Sequence, residues 1–144
     1  MKVRDMTKLF RQQVRTITPD KTVQDAVHAL VKHNIGALPV CDESGEVLLG
    51  IITERDILRF CARRPCEEMS RVEIGEVMTR DLVVGVLDDE VEQVMGIMTD
   101  RRIRHLPIVE DTKLIDIVSI GDVVKAQLDE SSVENQFLRK YLAG

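Results

Sequence analysis

Two four-residue runs hold the side chains with the clearest chemical use, Thr53-Glu54-Arg55-Asp56 and Ser119-Ile120-Gly121-Asp122. In each, a hydroxyl precedes a carboxylate by three positions. Where a strand gives way to a helix, that hydroxyl lies beside backbone N–H groups the helix leaves unpaired, a place that favours phosphate. The carboxylate one turn later can accept hydrogen bonds from ribose hydroxyls, and Arg55 adds a charge-assisted donor for phosphate. The same spacing is also an ordinary helix cap, in which the two side chains satisfy each other's backbone. Duplication by descent preserves a cap as readily as a site, so both readings stand. Turnover is not indicated. No Ser-His-Asp set, paired glycosidase-like carboxylates, metal cluster or G-x-x-x-x-G-K-[ST] phosphate loop can be assembled from the motifs.

The composition narrows the classes further. A chain of 144 residues that is 44% hydrophobic can fill one compact core without disulfides or metals. The net charge of -5 is spread through both signs along the sequence, which reads as a solubility feature without the basic footprint of a nucleic-acid binder. Its aromatics, Phe10, Phe60, Phe137 and Tyr141, are too few to offer a stacking surface for bases. Cys41, Cys61 and Cys66 form no C-x-x-C and have no ligand-spaced histidine, so they suit a reducing cytoplasm; Cys61 and Cys66 could pair, but without an activating motif they are assigned no role. His28 and His33 read as surface or half-buried helix residues, and Met95 and Met98 as core fillers. The start of the chain lacks an apolar signal core and no run approaches the ~18 apolar residues that span a bilayer, so a soluble cytoplasmic protein is expected.

The elements that would position the two runs are duplicated. Residues 14–57 align with 82–123: Val23, Ala26, Val27 and Leu30 meet Val91, Val94, Met95 and Met98, and Ile35, Leu38 and Pro39 meet Ile103, Leu106 and Pro107. Past the next turn two residues are missing, and Ile51, Ile52, Thr53 and Asp56 meet Ile117, Val118, Ser119 and Asp122. In the first copy Val23, Ala26, Val27, Leu30 and Val31 recur at helical spacing, and Thr22 with Asp25 forms a capping box, predicting a helix over 22–33. Leu38–Cys41 and Val47–Ile52, separated by a Gly-containing loop, predict an antiparallel hairpin. A first short strand at Val14–Ile17 and a helix over 54–61 complete a β-α-β-β-α unit. Half the chain is marginal as a core, so the two units are expected to pack sheet to sheet into one pseudo-symmetric α/β body.

This order, with I-G-A-L-P-V at 35–40, G-I-I-T-E-R-D at 50–56, E-V-M-T at 76–79, R-H-L-P-I-V at 104–109 and I-V-S-I-G-D at 117–122, resembles a tandem pair of cystathionine-β-synthase-type (CBS) domains, of the small stand-alone bacterial kind. The resemblance implies a lead-in helix over 1–13, a first unit over 14–62, a linker over 63–73, a second unit over 74–130 and a helical extension over 131–144. In that extension Val133, Phe137, Leu138, Tyr141 and Leu142 make an apolar edge. It also implies that AMP, ADP, ATP, S-adenosylmethionine or an NAD-type ligand binds between the units, with no cofactor required, in a homodimer acting on a downstream protein partner and on neither nucleic acid nor membrane.

Carried over by position, the first unit supplies Thr53, Arg55 and Asp56, facing Arg104, His105 and Leu106 of the second. Ser119 and Asp122 would face Thr16, Gly36, Ala37 and Leu38, whose small members leave room for a flat base. Arg101 and Arg102 join Arg104 and His105 in concentrating positive charge near one strand start, where a solvated helix end is the plainer reading for the first two. The copies differ: Asp116 replaces Gly50, and Gly121 stands where Arg55 stood, so the second copy is expected to bind more weakly or to prefer a less anionic ligand. The function expected is ligand sensing; the alternatives are a dimerisation module whose T-x-x-D motifs are only caps, and a small enzyme.

Overall fold

The computed structural model describes residues 1–9 and 14–130. The elements run α1 (Val3–Leu9), α2 (Val23–His33), β1 (Ala37–Cys41), β2 (Leu48–Thr53), α3 (Glu54–Arg63), a 3-10 turn (Cys66–Ser70), α4 (Ile74–Val77), α5 (Val91–Arg101), β3 (His105–Glu110) and β4 (Lys113–Ser119). A last helix, α6, covers 120–130. The apolar edge expected from Val133 to Leu142 lies outside the described residues.

Helix α2 begins where its caps require. The Thr22 hydroxyl accepts from the Asp25 N–H at 3.1 Å, and the Asp25 carboxylate accepts from the Thr22 N–H at 3.0 Å. Val23, Ala26 and Leu30 are buried, whereas Val31, assigned to the same stripe from sequence, is 77% exposed. Eight residues at 100° each carry it about 80° round from Val23 and off the buried face. Both α2 and α5 end on a residue in the left-handed region, Asn34 at φ 51° and Arg102 at φ 55°.

Each unit carries one two-stranded antiparallel sheet, β1 with β2 and β3 with β4. The registers repeat: Ala37, Leu38, Pro39 and Val40 oppose Thr53, Ile52, Ile51 and Gly50, while His105, Leu106, Pro107 and Ile108 oppose Ser119, Val118, Ile117 and Asp116. The two residues missing from the second copy fall in the hairpin turn, which shrinks to Asp111–Thr112. The strand expected at Val14–Ile17 is not formed. Only Ile17 meets β1, in a parallel bridge to Val40, with Gly85 meeting Ile108 likewise in the second unit. The Ile17 N–H and carbonyl are spent on Pro39 and Cys41, and the turn at Pro19–Asp20 then takes the chain away.

The two halves interlock through the helices that precede them. α4 follows the linker, yet Ile74 and Met78 pack with Ala26, Leu38, Val40 and Ile52 of the first unit. α1 opens the chain, yet Val3 and Met6 pack with Val91, Leu106, Ile108 and Val118 of the second. Matching bridges fasten the exchange: Lys2 pairs with Glu90 at the start of α5, and Glu73 with Thr22 at the start of α2. Each fully buried aliphatic side chain contributes about 1.5–3 kcal/mol, so the hydrophobic contact across the exchange holds the halves together. The hairpins also touch at their turns, where Val47 bridges Lys113.

Candidate functional site

Two clefts open between the halves, and the pseudo-symmetry places one T/S-x-x-D run in each. The first, of about 280 Å³, is lined by Ser119, Asp122 and Asp116 from the second unit and by Gly36, Ala37 and Arg15 from the first. The second, of about 420 Å³, is lined by Thr53, Arg55 and Asp56 on one side and by Arg104 and His105 on the other. His105 and Gly36 border both, and a Cβ built on Gly36 would stand 3.0 Å from the His105 ring.

Three sequence-derived residues are not brought to a cleft wall. Leu38 and Leu106 are 1% and 0% exposed and belong to the hydrophobic clusters of their own units, because the strand register pairs them with Ile52 and Val118 on the inward side. Thr16 is exposed to solvent; the extended segment there presents Val14 and Arg15 to the first cleft instead. Thr53, Arg55, Asp56, Arg104, His105, Ser119, Asp122, Gly36 and Ala37 all line one cleft or the other.

Both runs form caps, but their carboxylates are spent differently. In the second cleft Asp56 is 6% exposed. One of its oxygens accepts from the Thr53 N–H at 2.9 Å and the Thr53 hydroxyl at 3.1 Å, and the other accepts from the Thr79 hydroxyl at 3.1 Å. Arg59 lies 3.9 Å from it. In the first cleft the Asp122 Oδ2 accepts from the Ser119 N–H at 3.0 Å, and the Asp122 N–H donates to the Ser119 hydroxyl at 3.0 Å. The Asp122 Oδ1 has no hydrogen bond among the described residues, so an acceptor remains for a ligand hydroxyl.

Thr79 closes the E-V-M-T run, but the sequence assigns it no place at the site. It sits past α4 and crosses β2, exchanging both backbone hydrogen bonds with Ile51 at 3.0 and 2.8 Å. That crossing also explains the glycine of the motif: a Cβ on Gly50 would stand 2.8 Å from the Thr79 carbonyl oxygen and 2.9 Å from the Met78 sulfur. The signal was available in Asp5-Met6-Thr7, which echoes Val77-Met78-Thr79.

The charges divide the clefts. Arg55, Arg59, Arg101, Arg102 and Arg104 all line the second, against Glu54 and Asp56. The Arg55 guanidinium donates to the Arg102 carbonyl at 3.4 Å, tying the two sides together. The first cleft sets Asp116 and Asp122 against Arg15. His105 is held below the usual imidazole range by its burial, with Arg104 acting the same way and Glu54 and Asp122 opposing. A neutral imidazole there offers one donor and one acceptor.

Burial pushes the Asp116 carboxyl above the usual range; the Ile117 N–H, donating at 2.7 Å, resists, and the charge of Asp122 adds to the rise. An acid whose folded-state pKa exceeds its unfolded value costs stability when ionised, and the cost fades as pH falls through the folded-state titration. Asp116→Asn should therefore be more stable than the parent near neutral pH and lose that advantage in acid. Denaturant melts over a pH series will check this; equal curves at every pH would remove the electrostatic account.

A sequence model of the CBS domain matches residues 3–63 and again 74–129. The chain belongs to the CBS-domain family. It is 42% identical over 130 residues to the mitochondrial CBS domain-containing protein CBSX3 of Arabidopsis thaliana, covering 88% of this chain and 63% of that protein's length. The fold of the CBS pair is similar to that of a CBS-domain containing protein from Agrobacterium tumefaciens, with a TM-score of 0.81, 37% identity, and coverage of 88% and 99% of the two chains. It is also similar to CBSX2 in complex with AMP (TM-score 0.76, 28% identity, 90% and 98% covered). A third similar structure is the CBS pair of MJ0100 in complex with 5′-methylthioadenosine and S-adenosyl-L-methionine (TM-score 0.76, 29% identity, 90% and 98% covered).

Proposed function

We propose that this CBS pair is a regulatory module that takes an adenosine-containing ligand between its halves and signals through their relative movement. The observation that carries the reading is the first cleft, where the Asp122 Oδ1 stands unspent beside Ser119 and opposite the small Gly36–Ala37 wall. A ribose hydroxyl satisfies that oxygen, while the absence of a Cβ on Gly36 lets the His105 ring close in on this wall of the cleft. AMP, 5′-methylthioadenosine and S-adenosylmethionine in similar CBS pairs support the ligand class. The arginine-lined second cleft suits the phosphates of AMP, ADP or ATP, since guanidinium groups pair bidentately with phosphate. The first, with Asp116 and Asp122, suits a neutral or less anionic adenosyl compound.

Filling a cleft shifts a partner only if the ligand favours one arrangement of the halves over another. No catalytic step is part of the reading, and neither nucleic acid nor membrane is a partner. Among the described residues no helix is long and apolar enough to cross a membrane; the proposed location is the cytoplasm. A homodimer, with a downstream protein as the regulated partner, fits the large side chains left in solvent: Val31, Leu58 and Leu128 are 77%, 70% and 64% exposed. The unit boundaries proposed are 14–62 and 74–130, flanking a linker over 63–73, with a lead-in over 1–13 and an extension over 131–144.

The test is thermal stability against AMP, ADP, ATP, S-adenosylmethionine and NADH, repeated with Arg104→Ala and Asp122→Ala. A ligand at a hundredfold excess over its dissociation constant adds about 2.7 kcal/mol. Arg104→Ala should weaken the phosphate-bearing ligands selectively, and Asp122→Ala should weaken whichever ligand occupies the first cleft. If no member of the panel shifts the melting temperature, the module is a dimerisation element with caps for motifs.

A further inference from the structure

The sulfur atoms of Cys61 and Cys66 lie 3.4 Å apart, in contact, at the junction between α3 and the 3-10 turn. Nothing in the clefts uses them. Cys61 is half-buried on the last turns of α3, and Cys66 is exposed at the first residue of the 3-10 turn. The third cysteine, Cys41, is buried on β1, and burial with the charge of Asp42 pushes its thiol up to about 11.

The segment between the pair is held in place. The Arg64 N–H donates to the Phe60 carbonyl at 2.9 Å, and the Glu68 N–H donates to the Pro65 carbonyl at 3.0 Å. The Arg64 side chain spans the same junction: its Nε donates to Glu68 at 2.7 Å, and its guanidinium lies 5.3 Å from the centre of the Phe60 ring. Two thiols held in contact by a braced five-residue step need only a small approach to reach the ~2.05 Å of a disulfide bond.

We propose that Cys61 and Cys66 form a reversible intramolecular disulfide by exchange with a small-molecule disulfide such as oxidised glutathione. The exposed Cys66 reacts first. Its thiolate attacks one sulfur of oxidised glutathione, the S–S bond of that molecule breaks, and one glutathione thiolate leaves. Cys61, held above the usual thiol range by the neighbouring Cys66 thiol and by burial, then gives its proton to solvent and attacks the Cys66 sulfur. The mixed disulfide breaks and a second glutathione leaves. Two protein thiols lose two protons and two electrons, and the glutathione disulfide becomes two glutathione thiols. The new bond fixes the end of α3 whose beginning, Thr53 to Asp56, floors the arginine-lined cleft.

The full-length protein is equilibrated in glutathione buffers of graded redox ratio, quenched, alkylated after unfolding and weighed by mass spectrometry. The expected product keeps one alkylatable thiol, on Cys41, has lost two hydrogens, carries no glutathione and regains both thiols with dithiothreitol. Cys61→Ser should instead retain one glutathione on Cys66. A parent protein that accumulates glutathione on Cys66 while Cys61 stays alkylatable, that cross-links between chains, or that keeps all three thiols under oxidising ratios overturns the proposal. None of these readouts depends on nucleotide binding.

Discussion

Leu106→Ala should lower the unfolding free energy by about 2–5 kcal/mol, the usual cost of removing a fully buried leucine side chain from a packed core. Leu106 is 0% exposed and packs with Val3, Met6, Ile108 and Val118. It stands next to His105, so a position-by-position transfer from related proteins places it against a ligand. The strand decides otherwise: His105 opposes Ser119 at the cleft, and the next residue opposes Val118 on the inner side. Urea denaturation of the variant will measure the loss, and ligand titration of its folded fraction should match the parent. Parental stability combined with lost binding would return Leu106 to the site. Leu38, opposite Ile52 in the first unit, is expected to behave alike.

Asp56→Ala should destabilise the protein by about 3 kcal/mol, and Asp122→Ala by about 1 kcal/mol, although the two residues share a motif and a register position. Losing a helix cap costs ~0.5–2 kcal/mol. At Asp56 the change also strands the half-buried Thr53 N–H and hydroxyl, at ~1–3 kcal/mol for a donor left unpaired, while the exposed Thr79 hydroxyl loses its tie but can turn to water. Thr79 is the point where the segment after α4 crosses β2, so the loss there loosens a contact of that segment with the first unit. Asp122 gives up one backbone donor, from Ser119. Its substitution should be felt in adenosyl-ligand affinity instead. Parallel denaturant melts and ligand titrations separate the two effects; equal stability losses would mean that the Thr53 and Thr79 hydroxyls on Asp56 contribute nothing.

The periodic parts of the fold were legible because they obey local rules. Val23, Ala26 and Leu30 share one helix face, Thr22 and Asp25 cap each other, and the hairpins follow from apolar runs broken by turn residues. The repeat made the second copy readable from the first, down to the shortened turn at Asp111–Thr112. Contacts made by distant segments were not legible in the same way. Periodicity gives no partner for α1 or α4, so their exchange between units appears only in three dimensions, and with it the Thr79 hydroxyl on Asp56 and the crowding above Gly50. Neighbours in sequence also fail to be neighbours in role. Thr16 and Arg15, or Leu106 and His105, differ by one residue and face different surroundings. The basic lining of the second cleft was visible as Arg101, Arg102 and Arg104, while Arg59 joins it only because α3 brings it round one turn after Asp56.

Because α1 braces the later half and α4 the earlier one, neither half owns the piece that closes its core. The halves are buckled, each by a tongue from the other's side of the chain, and cannot hang as beads on the 63–73 segment. Denaturation should remove both at once in a single cooperative transition, and any twist that widens one opening must pull on the strap bordering its twin.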